Sequence, residues 1–170
     1  MNHKSLEQPF LDQIIKSQGI IHRICQMYAS DTHERQDLFQ EILIQLWKSY
    51  PSFQGRSKFS TWLYRVSLNV AIQNLRVYKR RPDRTGTLAQ VPEFPEMPEE
   101  DQFEEKLQWF HQALEQLSPI DKAIVMLYLE EKDNEEIAAI VGISQNYVRV
   151  KMNRIKTKLS KISKTSYHGA

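Results

Sequence analysis

Apolar residues along this chain recur at helical rather than strand spacing. From Pro9 to about Ser30, Phe10, Leu11, Ile14 and Ile15 are followed by Ile20, Ile21, Ile24, Met27 and Tyr28. Gly19 falls inside this run and predicts two helical pieces or one kinked helix. Residues 1–8 are polar and are expected to be loose. The stretch SDTHERQD reads as a turn, with Asp31 or Thr32 capping the next helix. In DLFQEILIQLWKSY, Leu38, Ile42, Leu46 and Tyr50 step by four, and Phe39, Leu43 and Trp47 lie beside them. Those are two apolar ridges on one side of a helix. In KFSTWLYRVSLNVAIQNLRVYKRR, Leu63, Val66 and Val70 face one way and Tyr64, Leu68, Ala71 and Leu75 another, so most of the circumference is apolar.

Pro82 ends this first body, and a second begins near Phe103. Phe103, Leu107, Phe110, Leu114 and Leu117 make a helical face. Ser118 then serves as N-cap with Pro119 at the first helical position. The helix that follows is expected to bury Ile120, Ile124, Leu127 and Tyr128. Asp133 and Glu136 have capping-box spacing before a short helix with Ile137, Ala138 and Val141. Gly142 and Ile143 turn the chain, Ser144 caps again, and a last helix runs to about Ile162 on Val148, Met152, Ile155, Leu159 and Ile162. The pattern predicts an all-α protein of two small helical domains, residues 1–82 and 106–170, joined by residues 83–105.

Composition supports this class. The chain has 170 residues with 41% hydrophobic and 26% charged, and only 5 Gly. Few β-branched residues alternate, which argues against a sheet. The net charge of +2 conceals segregation. Residues 1–82 hold 12 Lys and Arg against 6 Asp and Glu, residues 83–105 hold 1 against 8, and residues 106–170 hold 10 against 7. Two basic bodies joined by an acidic strap imply polyanion contacts at both ends. The strap contains Pro92, Pro95 and Pro98 and too little apolar area to offset its ordering entropy, so it reads as a flexible linker. Its span of about 25–30 Å approaches one duplex turn of about 34 Å. Cys25 stands alone, which excludes an internal disulfide and fits a reducing cytosol. No apolar run approaches the ~18–20 residues of a membrane span, and the N-terminus lacks an apolar signal core. The expected location is cytoplasmic, without membrane insertion.

One ridge of the second long helix is not apolar: Arg65, Asn69, Gln73, Arg76 and Arg80. Arg, Asn and Gln bond bases and phosphates readily. The preceding loop adds Phe53, Gly55, Phe59 and Trp62, whose aromatics can stack on exposed bases, although residues such as Phe59 and Trp62 are more often core than base platforms; Trp62 is expected to be at least half buried. Asp37, Gln40, Glu41, Gln45 and Lys48 line the polar side of the helix before it. Residues 34–81, with ERQDLFQEILIQLW, FQGRSKFSTWLYRVSLN and a basic end, resemble region two of the bacterial sigma factors, in the extracytoplasmic-function group.

The stretch NEEIAAIVGISQNYVRVKMNRI has helix-turn-helix spacing, with small Ala138 at the crossing and Gly142 at the turn. Ser144, Gln145, Asn146, Tyr147 and Arg149 open its recognition helix, Asn153 and Arg154 continue it, and Lys156, Lys158, Lys161 and Lys164 follow. That order suits base reading first and phosphate contact after. Together with LSPIDKAIVMLYLEE upstream it resembles sigma region four.

The resemblance implies a subunit that directs promoter recognition, promoter melting and transcription initiation. Its implied partners are core RNA polymerase, bound through Asp37, Gln40, Glu41, Gln45 and Lys48; a melted downstream promoter element, held by the loop and the 65–80 ridge with Asn69 as a reader; a duplex upstream element, read by residues 144–154; and an anti-sigma factor. No cofactor, catalytic residue or metal is implied. His22, Cys25 and His33 lack a further thiol to complete a metal site, and no phosphate loop, Ser/His/Asp set or carboxylate pair stands out. Two other classes stay open on the residues alone. A stand-alone helix-turn-helix regulator leaves residues 37–81 unexplained, and a nucleic-acid enzyme needs a reactive cluster that the sequence does not display.

Overall fold

The computed structural model describes residues 3–79 and 109–167, with side chains over residues 7–77 and 109–163. Every regular element among them is helical. The chain divides into two units, Met1–Pro92 and Glu93–Ala170. The expected linker, residues 83–105, lies outside the described residues, as do Arg80, Phe103 and Leu107.

Three helices build the first unit: α1 (His3–Tyr28), α2 (Thr32–Ser49) and α3 (Phe59–Lys79), each packed on the other two. A single 3-10 turn, Tyr50–Ser52, follows α2. The core takes Phe10, Ile14, Ile21, Ile24, Cys25 and Tyr28 from α1, Leu38, Ile42 and Leu46 from α2, and Leu63, Tyr64, Leu68, Val70 and Ala71 from α3. Where the pattern predicted loose residues 1–8, and two helical pieces or one kinked helix about Gly19, α1 is a single helix from His3 through Pro9 and Gly19. One helical glycine costs about 1 kcal/mol. Burying Ile21 and Ile24 on its C-terminal side, at about 1.5–3 kcal/mol each, outweighs that.

The α1–α2 corner is closed by side chains from α2. Arg35 donates from Nε to the Ala29 carbonyl and from Nη2 to the Ser30 carbonyl, both at 3.3 Å. Asp31 is the N-cap of α2, accepting from the Glu34 amide at 2.8 Å.

The second unit contains α4, helical over residues 109–115, then α5 (Pro119–Leu129), α6 (Asn134–Val141) and α7 (Gln145–Tyr167). α7 thus runs five residues beyond the expected end at Ile162. Ser118 caps α5 by accepting from the Asp121 amide, and Asp133 with Glu136 forms a complete capping box on α6. Gly142 closes α6 at φ 78°, a left-handed conformation that costs glycine least.

The buried face of α5 differs from the expected one. Lys122, Ala123, Ile124, Val125, Met126 and Leu127 are all buried, whereas Tyr128 is 47% exposed and Ile120 half-buried. Neighbours cover most of the α5 circumference, and Tyr128 occupies the remaining open side, where the Lys156 ammonium lies 5.1 Å from its ring centroid.

Candidate nucleic-acid interface

In the first unit, α3 is buried on most sides and presents one polar ridge. Arg65, Asn69, Gln73 and Arg76 are exposed, while Leu63, Tyr64, Ser67, Leu68, Val70 and Ala71 on the same helix are buried. Helical geometry produces the contrast: steps of three and four keep the ridge on one side while the intervening residues turn inward.

Phe59 and Trp62 are half-buried and belong to an aromatic cluster at the α2–α3 loop. Trp62 lies 5.1 Å from Phe53 and 5.4 Å from Phe59 between ring centroids, and Tyr50 lies 6.1 Å from Trp62. Phe10 extends the cluster to α1, 5.0 Å from both Trp47 and Tyr50. These rings brace one another and hold the loop against the helices. Beyond them Gln54, Gly55, Arg56, Ser57 and Lys58 are all exposed, and Gly55 has φ 68°. The two loop cations, Arg56 and Lys58, escaped the sequence reading. A glycine flanked by Gln54 and Arg56 between aromatics was the available signal.

On α2, Asp37, Gln40, Glu41, Gln45 and Lys48 are exposed together. Ile44, 55% exposed, stands on the row of Gln40 and Lys48. An apolar side chain within a mixed-charge ridge suits a protein partner better than a nucleic acid. Asn74 of α3 donates from Nδ2 to Glu41 Oε2 at 2.8 Å, so the α2 ridge is tied to the helix that carries the polar ridge. Periodicity could not single out Asn74, since its partner lies 33 residues away.

In the second unit, Gln145, Asn146, Tyr147, Arg149, Asn153 and Arg154 are exposed along α7. Ser144 is also exposed, and its Oγ accepts from the Tyr147 amide at 3.1 Å, so it serves as the N-cap. The downstream lysines are not equivalent. Lys151 bonds Asp121 Oδ1 at 2.8 Å. Lys158 donates to the Gln116 carbonyl at the end of α4, and Lys156 covers Tyr128. The expectation that Lys156 and Lys158 serve phosphates therefore meets competing intramolecular partners. Asn153, Arg154, Thr157, Lys158 and Lys161 line one open groove on α7. The Lys164 side chain lies outside the described residues.

Among the described residues, no three His, Cys, Asp or Glu side chains gather as metal ligands, and no helix is long and apolar enough to cross a membrane. Burial pushes the Cys25 thiol up to about 11, partly offset by the nearby Arg35 guanidinium.

Two family models match the chain: Sigma-70 region 2 over residues 14–81 and Sigma-70, region 4 over residues 107–159. The chain is similar to the RNA polymerase sigma-H factor of Pseudomonas aeruginosa, 28% identical over 159 residues, covering 87% of this chain and 82% of the relative. It is also similar to the ECF RNA polymerase sigma-E factor of Escherichia coli K12, 32% identical over 135 residues, covering 71% and 69%. A co-crystal structure of the sigma factor RpoE with the anti-sigma factor NepR from Bartonella quintana contains a similar fold, with TM-score 0.69 and 20% identity over 92% of this chain and 98% of that one.

Proposed function

The chain belongs to the sigma-70 family of RNA polymerase sigma factors, in its extracytoplasmic-function group, and from that premise we propose how its surfaces divide the work of starting transcription. As a sigma factor it directs promoter recognition and initiation. Its first unit docks on core RNA polymerase through the 37–48 ridge of α2, where Ile44 supplies an apolar centre among charges. The Phe53–Trp62 loop receives a base released from the opening duplex. Arg65, Asn69, Gln73 and Arg76 hold the melted downstream element, with Arg80 extending the ridge. Releasing a base costs a few kcal/mol, which stacking at about 1–3 kcal/mol per base and phosphate contacts offset. The second unit sets the start of α7, residues 144–154, into the major groove of the upstream element. The protein acts in the cytoplasm and leaves catalysis to the polymerase. An anti-sigma factor silences it by covering these same surfaces, as a partner of this kind is seen bound to the related fold.

The observation that carries this reading is the α3 ridge: four exposed polar residues, Arg65, Asn69, Gln73 and Arg76, on a helix otherwise packed on most sides. Run-off transcription with core polymerase on a promoter library tests it. Asn69→Ala is expected to change selection at the downstream element and Arg149→Ala at the upstream element. Unchanged selection in both variants overturns the assignment of readers. A footprint on duplex promoter DNA by the protein alone, as strong as with core enzyme, restores the stand-alone regulator.

A further inference from the structure

Within the second unit, a chain of three side chains reaches from α5 to the exposed start of α7. Asp121 stands in the first turn of α5, its backbone amide donating to Ser118 Oγ at 3.2 Å. Its Oδ1 accepts from Lys151 Nζ at 2.8 Å. Both partners are largely buried, with side chains 20% exposed for Lys151 and 23% for Asp121. The same ammonium lies 5.6 Å from the centroid of the Tyr147 ring, one helical turn earlier on α7. Tyr147 is 43% exposed between Asn146 and Arg149, on the surface assigned to base reading.

Each contact answers a different requirement. A tyrosine on an exposed helix start samples several rotamers, and a cation beside its ring favours one of them. A lysine on the recognition helix would otherwise be drawn to a phosphate. The Asp121 carboxylate removes that option by occupying the ammonium at hydrogen-bond distance with charge assistance. The ridge of basic residues on α7 thus contains one cation turned inward, and the ring next to it projects outward.

We propose that Asp121 and Lys151 are positioning residues for Tyr147, and that Tyr147, so held, determines sequence preference at one base step of the upstream promoter element. The inference rests on the reading of α7 as the upstream-element reader. It assigns Lys151 to orientation of a neighbour rather than to the DNA backbone. An ammonium released from Asp121 becomes a phosphate ligand, which strengthens binding to every sequence while discrimination weakens.

The test uses the full chain assembled with core polymerase, on a promoter library randomised across the upstream element, with selection profiles, the salt dependence of promoter binding and thermal unfolding measured in parallel. Tyr147→Ala is expected to flatten preference at one step by about five-fold or more, the lower end of the scale of one good base contact. Asp121→Asn and Lys151→Met are expected to flatten the same step and leave the step read by Arg149 unchanged. Their double variant does no more than either alone. Asp121→Asn steepens the salt slope by about one, Lys151→Met does not, and Lys151→Arg retains the profile. Two results overturn the proposal while leaving the upstream reading intact. In the first, Tyr147→Ala alters the profile but Asp121→Asn and Lys151→Met do not. In the second, those two variants lower melting temperature and activity evenly with no change in profile. If neither Tyr147→Ala nor Arg149→Ala alters the profile, the reading of α7 itself falls and takes the proposal with it.

Discussion

Asn74 on α3 donates its side-chain amide to Glu41 on α2 at 2.8 Å, a side-chain hydrogen bond joining the helices that carry the two polar ridges of the first unit. Glu41 lies on the surface assigned to polymerase, and Asn74 sits on the helix that carries Arg65, Asn69, Gln73 and Arg76. Removing the amide leaves Glu41 to sample other rotamers, a loss of about 1–2 kcal/mol for a bond to an ionised group at a partly exposed site. Asn74→Ala is expected to weaken core-polymerase binding several-fold. In a double-mutant cycle with Glu41→Ala, the two losses should not add. Fluorescence titration against core enzyme checks this, and fully additive losses would refute the coupling.

The Cys25 thiol is 2% exposed, with its pKa pushed up to about 11 by burial. Disulfide-exchange reagents should label it far more slowly in the native protein than in denaturant at pH 8. The linkage has a definite sign. The folded protein holds the proton more tightly than the unfolded chain, whose thiol has the ordinary value of 9.0. Stability from this group is therefore complete below about pH 9 and is lost as pH rises toward about 11. Urea unfolding of the native chain and of Cys25→Ala should show the difference between their stabilities changing only in that window.

Gly19 and Gly142 should respond oppositely to alanine. Gly19 is helical and exposed, and a Cβ there would meet only Arg23 Nη1, at 3.5 Å. Gly19→Ala should stabilise the first unit by about 0.5–1 kcal/mol. A Cβ at Gly142 meets nothing within 4 Å, but φ is 78°, so Gly142→Ala should cost about 1–2 kcal/mol from backbone strain alone. Calorimetry on the two variants separates these effects, and stabilisation by Gly142→Ala would contradict the left-handed turn.

Lys122 is buried on α5, and its ammonium pairs with Glu115 Oε1 at 2.9 Å; the glutamate side chain is 73% exposed. Breaking the pair from the glutamate side leaves a desolvated cation unpaired. Glu115→Ala is expected to destabilise by about 1–3 kcal/mol, and Lys122→Met, which keeps the packing without the charge, by less than about 1 kcal/mol. Equal losses in thermal unfolding would mean that the lysine stem, not the unpaired charge, sets the cost.

The α3 ridge was legible because its spacing alone specifies one helical side, and Arg65, Asn69, Gln73 and Arg76 are exposed as that spacing requires. The caps at Ser118, Asp133 and Ser144, and Asp31 as one of two candidates with Thr32, were legible for the same reason, since each bond closes within three residues. Tyr128 was misread because burial on α5 depends on which neighbours cover it, and none of them is adjacent in sequence. Lys156 and Lys158 looked like interchangeable cations until Tyr128 and Gln116 were brought to them from 28 and 42 residues away, and the pairing of Lys151 with Asp121, 30 residues apart, carried no signal in the sequence.

Local periodicity and capping chemistry thus determined the helices, the two-unit division and the sides of α2, α3 and α7 that face outward, because those follow from contacts within one or two turns. Which of the outward charges already have partners was decided only when α5 met α7 and α2 met α3. An ion pair or hydrogen bond between helices depends on the distance between side chains that the chain's order leaves open.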